Sequence, residues 1–265
     1  MYSARIFGLV AALAATSSAA PTRSHPRATT NSSSSTTTTT TSTGGPAFGQ
    51  IYYNCITPGQ VALTFDDGPY TFTNQLLDIL ASYDAKATFF LNGQNFGRIM
   101  DQEPYASAVR RMYEAGHHLA SHTLTHADLN GLSSADRAAQ MEGNDALFRS
   151  IIGVAPTYMR APYLSCAGDC LAEISGLGYH VIDASIDTKD YENQTPDTNG
   201  ASQAKFDAEL GSPDSAGPIV LAHDVHETTV SLLTPHMIET LRARGFRTVT
   251  VGECLGDDPA NWYRL

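Results

Sequence analysis

The sequence predicts an α/β domain over residues 48–265, a small (β/α) barrel in preference to a doubly wound sheet, on three observations. Short apolar runs alternate with segments of helical period, three helix ends run through a glycine straight into a strand, and reactive residues recur just after strand ends. Helix, glycine stop, strand is the connection of a parallel sheet, because glycine accepts the left-handed conformation that ends a helix. In either architecture the loops that follow the strands build the site.

Val61-Ala62-Leu63-Thr64-Phe65 reads as a buried strand. Thr73 is placed to cap a helix whose apolar residues Leu76, Leu77, Ile79, Leu80 and Tyr83 recur at helical spacing. Ala87–Leu91 is the next strand, and helices are expected over Tyr105–Glu114 and from Ser133 to Ile151. The glycine-stop pattern occurs at Ala115-Gly116-His117-His118-Leu119, Leu177-Gly178-Tyr179-His180-Val181 and Arg244-Gly245-Phe246-Arg247-Thr248-Val249. Ile219-Val220-Leu221-Ala222 is a further apolar strand.

Ahead of this domain the composition changes. Residues 1–20 read as a secretory signal: Arg5 is the only charge, Ile6–Ala15 are mostly apolar, and Ser18-Ala19-Ala20 offers small residues for cleavage. This run falls short of the roughly 20 residues that span a bilayer. Residues 21–47 read as a linker, with every position from Thr29 to Thr43 except Asn31 being Ser or Thr. Such a run has no apolar area to set against its ordering entropy and resembles an O-glycosylated stalk. Asn31 and Asn193 head N-glycosylation sequons.

The 265 residues carry 16 Lys+Arg against 27 Asp+Glu, a net charge of −11, with 42% hydrophobic residues, sufficient for a core. The cationic share of the tail leaves residues 48–265 at −14. That balance argues against a nucleic-acid groove or an anionic membrane surface, which want clustered cations. Four cysteines in an exported chain imply two disulfides with three connectivities. Cys166 and Cys170 flank Gly168 closely enough to close a small loop, which leaves Cys55 and Cys254 to tie the two ends of the domain. Their spacings are not those of paired zinc knuckles.

Five constellations follow strand ends. Thr64-Phe65-Asp66-Asp67-Gly68-Pro69 sends two carboxylates off an apolar strand into a turn, where one can hold a metal and the other take a proton. Ser121-His122-Thr123-Leu124-Thr125-His126 sets two imidazoles four apart, the spacing of one face of a helical turn, and with Asp67 they make an N,N,O set. His117 and His118 lie on the strand itself and are expected to be packed. Arg160-Ala161-Pro162-Tyr163, Asp187-Thr188-Lys189-Asp190-Tyr191 and Ile219-Val220-Leu221-Ala222-His223-Asp224 complete the series.

These five motifs, in this order, resemble those of the NodB-homology polysaccharide deacetylases, carbohydrate esterase family 4, and are most similar to the secreted chitin deacetylases of fungi. The resemblance implies a distorted (β/α) barrel with its groove at the strand C-termini. It implies a single divalent metal, zinc or alternatively cobalt, on Asp67, His122 and His126. Asp66 matches the catalytic base and His223 the acid, with Arg160 holding the base and Asp190 tuning the acid. Tyr163 matches the residue whose N–H meets the oxyanion, and Tyr191 and Leu221 the walls of the acetyl pocket. The expected reaction is removal of N-acetyl groups from chitin or chito-oligosaccharides by a secreted monomer. Acetylxylan and peptidoglycan are alternative substrates, and a non-catalytic wall-binding role is a further one. Arg160 is expected to lower the Asp66 pKa, and Asp190 to raise that of His223. Tyr191, and Ala184-Ser185, stand where relatives often carry Trp and Trp-Asp.

Overall fold

The computed structural model describes residues 44–96 and 98–265. The signal segment, nearly all of the linker and Asn31 lie outside them.

A mostly parallel sheet forms the frame. Its path runs Ile51–Tyr52, His180–Ile182, Tyr158–Met159, His118–Ser121, Thr88–Leu91, Gln60–Asp66, Ala216–His223 and Ile186–Asp187, every neighbouring pair being parallel. Arg247–Val249 also pairs with Gln60–Asp66, and Asn54–Pro58 is antiparallel to Ala216–His223. The sheet curls into the expected distorted barrel. Its two ends are joined by the three residues between Ile182 and Ile186. The Asp183 N–H donates to the Tyr52 carbonyl at 2.8 Å and the Ser185 N–H to that of Ile219 at 3.0 Å.

The strands are buried on both faces, which is why they read as unbroken apolar runs rather than alternating ones. Val61, Leu63 and Phe65 point outward and join Phe89, Leu119 and Val220 beneath the helices. Ala62 points inward with Phe90, Ala120, Tyr158 and Ile219. By the two-residue period of a strand, Thr64 and Asp66 share that inward face, so Asp66 arrives at the top of the barrel interior.

Helices Thr73–Ser82, Tyr105–Glu114, Ser134–Ile152 and Thr234–Ala243 pack outside. Ser133 caps its helix by accepting from the Asp136 N–H. Thr73 does not cap: Phe72 precedes the helix without a side-chain bond, and the Thr73 hydroxyl accepts from the Tyr70 N–H and is committed to Asp224. Gly116, Gly178 and Gly245 have φ of 77°, 82° and 80°, the left-handed stops that the recurring pattern required. His117 and His118 are buried as expected. Among the described residues no helix is long and apolar enough to cross a membrane.

The disulfides are Cys55–Cys254 and Cys166–Cys170. The first closes a separation of 199 residues and fastens Asn54–Pro58 to the helix Val251–Cys254 beneath the barrel. On the chain-entropy model C55A/C254A is expected to cost roughly 5 kcal/mol and C166A/C170A roughly 2 kcal/mol. Urea unfolding of the two double variants checks the ranking, and equal losses would contradict it.

Candidate active site

Parallel register brings the first pair of groups together. His223 is the register partner of Asp66, so the two side chains leave adjacent strands at the same level. Arg160, at the end of Tyr158–Met159, is fully buried and reaches across the barrel interior. Its Nη1 donates to Asp66 Oδ1 at 2.8 Å and to Thr64 Oγ1 at 2.6 Å, and its Nη2 to the Asp183 carbonyl at 2.9 Å. The guanidinium lies over the Phe90 ring, 4.2 Å from its centroid.

Burial is the largest influence on Asp66 and pushes its carboxyl above the ordinary range, against the pull of Arg160 and His223. The expectation that the guanidinium would set Asp66 low is therefore corrected. One arginine does not offset removal of the carboxylate from water.

His223 is matched with Asp190, which is wholly inaccessible to solvent. Asp190 Oδ1 receives His223 Nδ1 at 2.8 Å, while Oδ2 receives the His223 N–H at 2.7 Å and the Thr229 hydroxyl at 2.8 Å. Burial disfavours the imidazolium, but the charge and hydrogen bond of Asp190 outweigh it and raise the His223 pKa to about 9. The same pair lowers Asp190 against its own burial.

Asp67, His122 and His126 converge beside this pair, with their ligand atoms within 4.8 Å of one another. Asp67 Oδ1 is 3.6 Å from His122 Nε2 and 3.3 Å from His126 Nε2. Donors about 2.0–2.1 Å from one tetrahedral zinc lie roughly 3.3 Å apart, so the spacing fits a cation. Two further features agree. Asp67 Oδ1 is buried with no hydrogen-bond partner. His122 Nδ1 lies 2.8 Å from the Arg160 carbonyl, which can only accept, so Nδ1 carries the proton and Nε2 offers its lone pair to the cluster. Burial pushes the His122 pKa down to about 3, which keeps the ring neutral as ligation requires.

The histidines do not share a helical turn. Residues 122–128 form an irregular loop, with Thr123 at φ 71° and His126 at φ 58°. Left-handed backbone, rather than helical periodicity, aims both rings at Asp67, which is itself at φ 73°.

A cavity of about 520 Å³ opens over these groups, with Tyr163 on one side and Leu221 and Tyr191 on the other. That volume is in the range of small-ligand sites. The Tyr163 ring meets His126 edge-on at 4.8 Å, and the Tyr191 ring meets His223 edge-on at 5.4 Å.

Residues 54–182 match the family model for polysaccharide deacetylase. The chain is 55% identical over 211 residues to a chitin deacetylase of Colletotrichum lindemuthianum, covering 79% of this chain and 85% of that one. The chain belongs to the polysaccharide deacetylase family. A chitin deacetylase of Arthroderma benhamiae is 50% identical over 218 residues, covering 82% of this chain and 57% of that longer one. The solved structure of the Colletotrichum lindemuthianum chitin deacetylase superimposes with a TM-score of 0.81 at 52% identity, covering 83% of this chain and 97% of that one.

Within this polysaccharide deacetylase fold every motif residue singled out in the sequence, from Asp66 to His223, borders the cavity or supports a group that does. Asn193 stands apart. Its carboxamide donates to the Lys189 carbonyl at 3.0 Å and to Ser202 Oγ at 3.2 Å, so a glycan at this sequon has to displace one of those donors. Two contributors had no signal in the sequence: Thr229 and His226 lie outside any motif, and His226 lines the cavity. Asp187 and Lys189 lie within the fourth motif but had no role assigned; both line the cavity and orient Tyr191, whose hydroxyl donates to Asp187 Oδ2 at 3.0 Å, an oxygen that also receives Lys189 Nζ at 2.9 Å.

Arg160→Met removes the counter-charge of a buried carboxylate and is expected to cost about 3–5 kcal/mol in unfolding at neutral pH. Asp66 already has a raised pKa, and protonation relieves it of the need for a partner. The loss relative to wild type is therefore expected to shrink as pH falls. Denaturant unfolding at several pH values checks both the size and the sign.

Proposed function

We propose that this enzyme hydrolyses N-acetyl groups of β-1,4-linked N-acetylglucosamine polymers or oligomers, converting chitin to chitosan and acetate. It is then a hydrolase of carbon–nitrogen bonds other than peptide bonds. The observation that carries the reading is the pairing of opposite proton demands over one cavity. Asp66 accepts a proton with a raised pKa, His223 holds one up to about pH 9, and the N,N,O cluster lies beside them.

Asp67, His122 and His126 would hold one divalent ion. Zinc suits the set best and cobalt is the alternative. The chemistry such an ion supplies when bound is polarisation of a carbonyl and acidification of a water. The work of this chain's own residues follows from their placement. Asp66 takes the proton of the attacking water, and Arg160, itself held by Thr64, fixes the direction of its carboxylate. The Tyr163 N–H donates to the developing oxyanion, a contribution typically worth about 3 kcal/mol. Leu221 and Tyr191 wall the acetyl methyl. The His223 imidazolium donates its Nε2 proton to the amine nitrogen as the C–N bond breaks, and Asp190 holds Nδ1. Acetate leaves and a glucosamine unit remains. That unit is cationic, and the acidic domain favours it electrostatically.

The reading includes export, with residues 1–20 as signal and 21–47 as a glycosylated stalk, and action as a monomer. Two disulfides suit an oxidising compartment.

Acetate release from chitin oligomers, acetylated xylan and peptidoglycan, each with and without chelator, is the direct assay. Release from chitin oligomers is expected to stop on chelation and to return with zinc or cobalt. Asp67→Asn is expected to lose metal, whereas Asp66→Asn keeps it and loses turnover. Release from acetylated xylan alone would replace the amidase reading with an esterase one, and activity in metal-free protein would overturn the metal assignment.

The acid must be protonated to act, so deprotonation of His223 sets an alkaline limit on kcat/KM. Asp190 raises the His223 pKa, so Asp190→Asn is expected to lower it and move the alkaline limb to lower pH. A limb that stays in place would show that Asp190 does not tune His223.

A further inference from the structure

We infer that Asn92 and Arg98, neither of which borders the cavity, are positioning residues that clamp the Asp67 turn and the His122 loop into a single ligand geometry. The inference rests on the reading of Asp67, His122 and His126 as a metal site.

Both residues belong to the segment that leaves the strand Thr88–Leu91, which lies between the strands that deliver Asp67 and His122. Three consecutive carbonyls of the turn are held from this segment. Arg98 donates from Nη2 to the Asp67 carbonyl and from Nε to that of Pro69, and the Asn92 N–H donates to that of Gly68 at 3.1 Å. The other side of the segment holds the histidine loop. Asn92 Nδ2 donates to the His122 carbonyl and, at 3.1 Å, to that of Thr123, and the Gln94 N–H donates to Leu124 at 2.6 Å.

The clamp is itself braced. Asn95 Nδ2 donates to Asn92 Oδ1 at 3.0 Å, Arg98 Nη1 donates to the Asn95 carbonyl at 2.7 Å, and the guanidinium carbon lies 4.9 Å from the Tyr70 ring centroid and 5.1 Å from that of Phe96. Asn92 and Arg98 are 1% and 6% exposed, so water does not compete for these carbonyls. The turn also has no slack beneath it, since a Cβ on Gly68 would fall 2.5 Å from Asp224 Oδ1.

Asp67 and Thr123 occupy left-handed backbone that ordinary residues adopt only under constraint, and each is followed or preceded by a carbonyl that the clamp holds. Release of the clamp lets both segments relax and the donors separate. Electrostatics predicts the opposite trend, because removing the Arg98 cation from beside a cation site strengthens binding there. Weaker binding therefore reports lost geometry.

The experiment is a zinc titration against a chromophoric chelator for wild type, Arg98→Met, Arg98→Lys and Asn92→Ala. Urea unfolding of the metal-stripped proteins and visible spectra of the cobalt forms accompany it. Arg98→Met and Asn92→Ala are expected to weaken zinc about 10- to 100-fold while the stripped protein is still folded, and to alter the cobalt spectrum. Arg98→Lys is expected to recover only part, since an ammonium does not reproduce the fixed fork of donors. Should Arg98→Met or Asn92→Ala fail to fold, Arg98→Lys carries the test. Folded variants with wild-type zinc affinity and cobalt spectra would overturn the proposal. Wild type that binds neither ion, or binds them as well after His126→Ala, would instead overturn the metal reading on which it rests.

Discussion

Five consecutive parallel pairs between Gln60–Asp66 and Ala216–His223, the last joining Asp66 to His223, are the constraint on which the site depends. Partners in register point to the same face of a sheet, so this ladder puts a carboxylate and an imidazole side by side at one end of the barrel. A slip of one residue would turn His223 outward against the helices and leave Asp66 facing an alanine. The antiparallel pairing of Asn54–Pro58 with the far end of the same strand, and the disulfide that fastens Asn54–Pro58 to Val251–Cys254, restrain that register from below.

Placing Asp66 inside the barrel has an energetic consequence. A carboxylate cut off from water needs a partner, and Arg160 supplies one from the opposite wall, sharing its guanidinium among Asp66, Thr64 and the Asp183 carbonyl. The backbone carbonyl of that same arginine orients His122. A single residue thereby links the proposed base to the proposed metal site. Asp190 occupies the corresponding position behind His223, but with four donors, one of them the cationic imidazole, it is held ionised. Unequal compensation of two buried acids, one raised and one lowered, is what suits the pair of proton carriers to the opposite tasks proposed for them.

Much of this was legible in the chain. Strands such as Val61–Phe65 are visible because burial on both faces demands unbroken apolar residues, and the helix-to-strand joints because only glycine accepts their backbone conformation without strain. The reactive motifs are visible because each follows such a strand. Thr73 was misread as a helix cap because its distant partner, Asp224, is 151 residues away. The two histidines were misread as neighbours on a helical turn because spacing does not reveal the left-handed residues between and at them. Asn92, Arg98 and Thr229 carry no local signature, since they act on backbone carbonyls or a carboxylate brought to them by other strands.

By itself, then, the sequence determined the class of fold and the order of strands along the chain, which follow from periodicity and backbone preference, and it marked the candidate site residues through motifs that resemble those of a known family. Tertiary structure decided the rest: that Asp66 is raised rather than lowered, that Asp67 meets two imidazoles on an irregular loop, and which buried amides and guanidinium hold them there. These are properties of burial and of contacts between residues far apart in the chain. Neither desolvation nor a long-range hydrogen bond has a local pattern that a sequence can display.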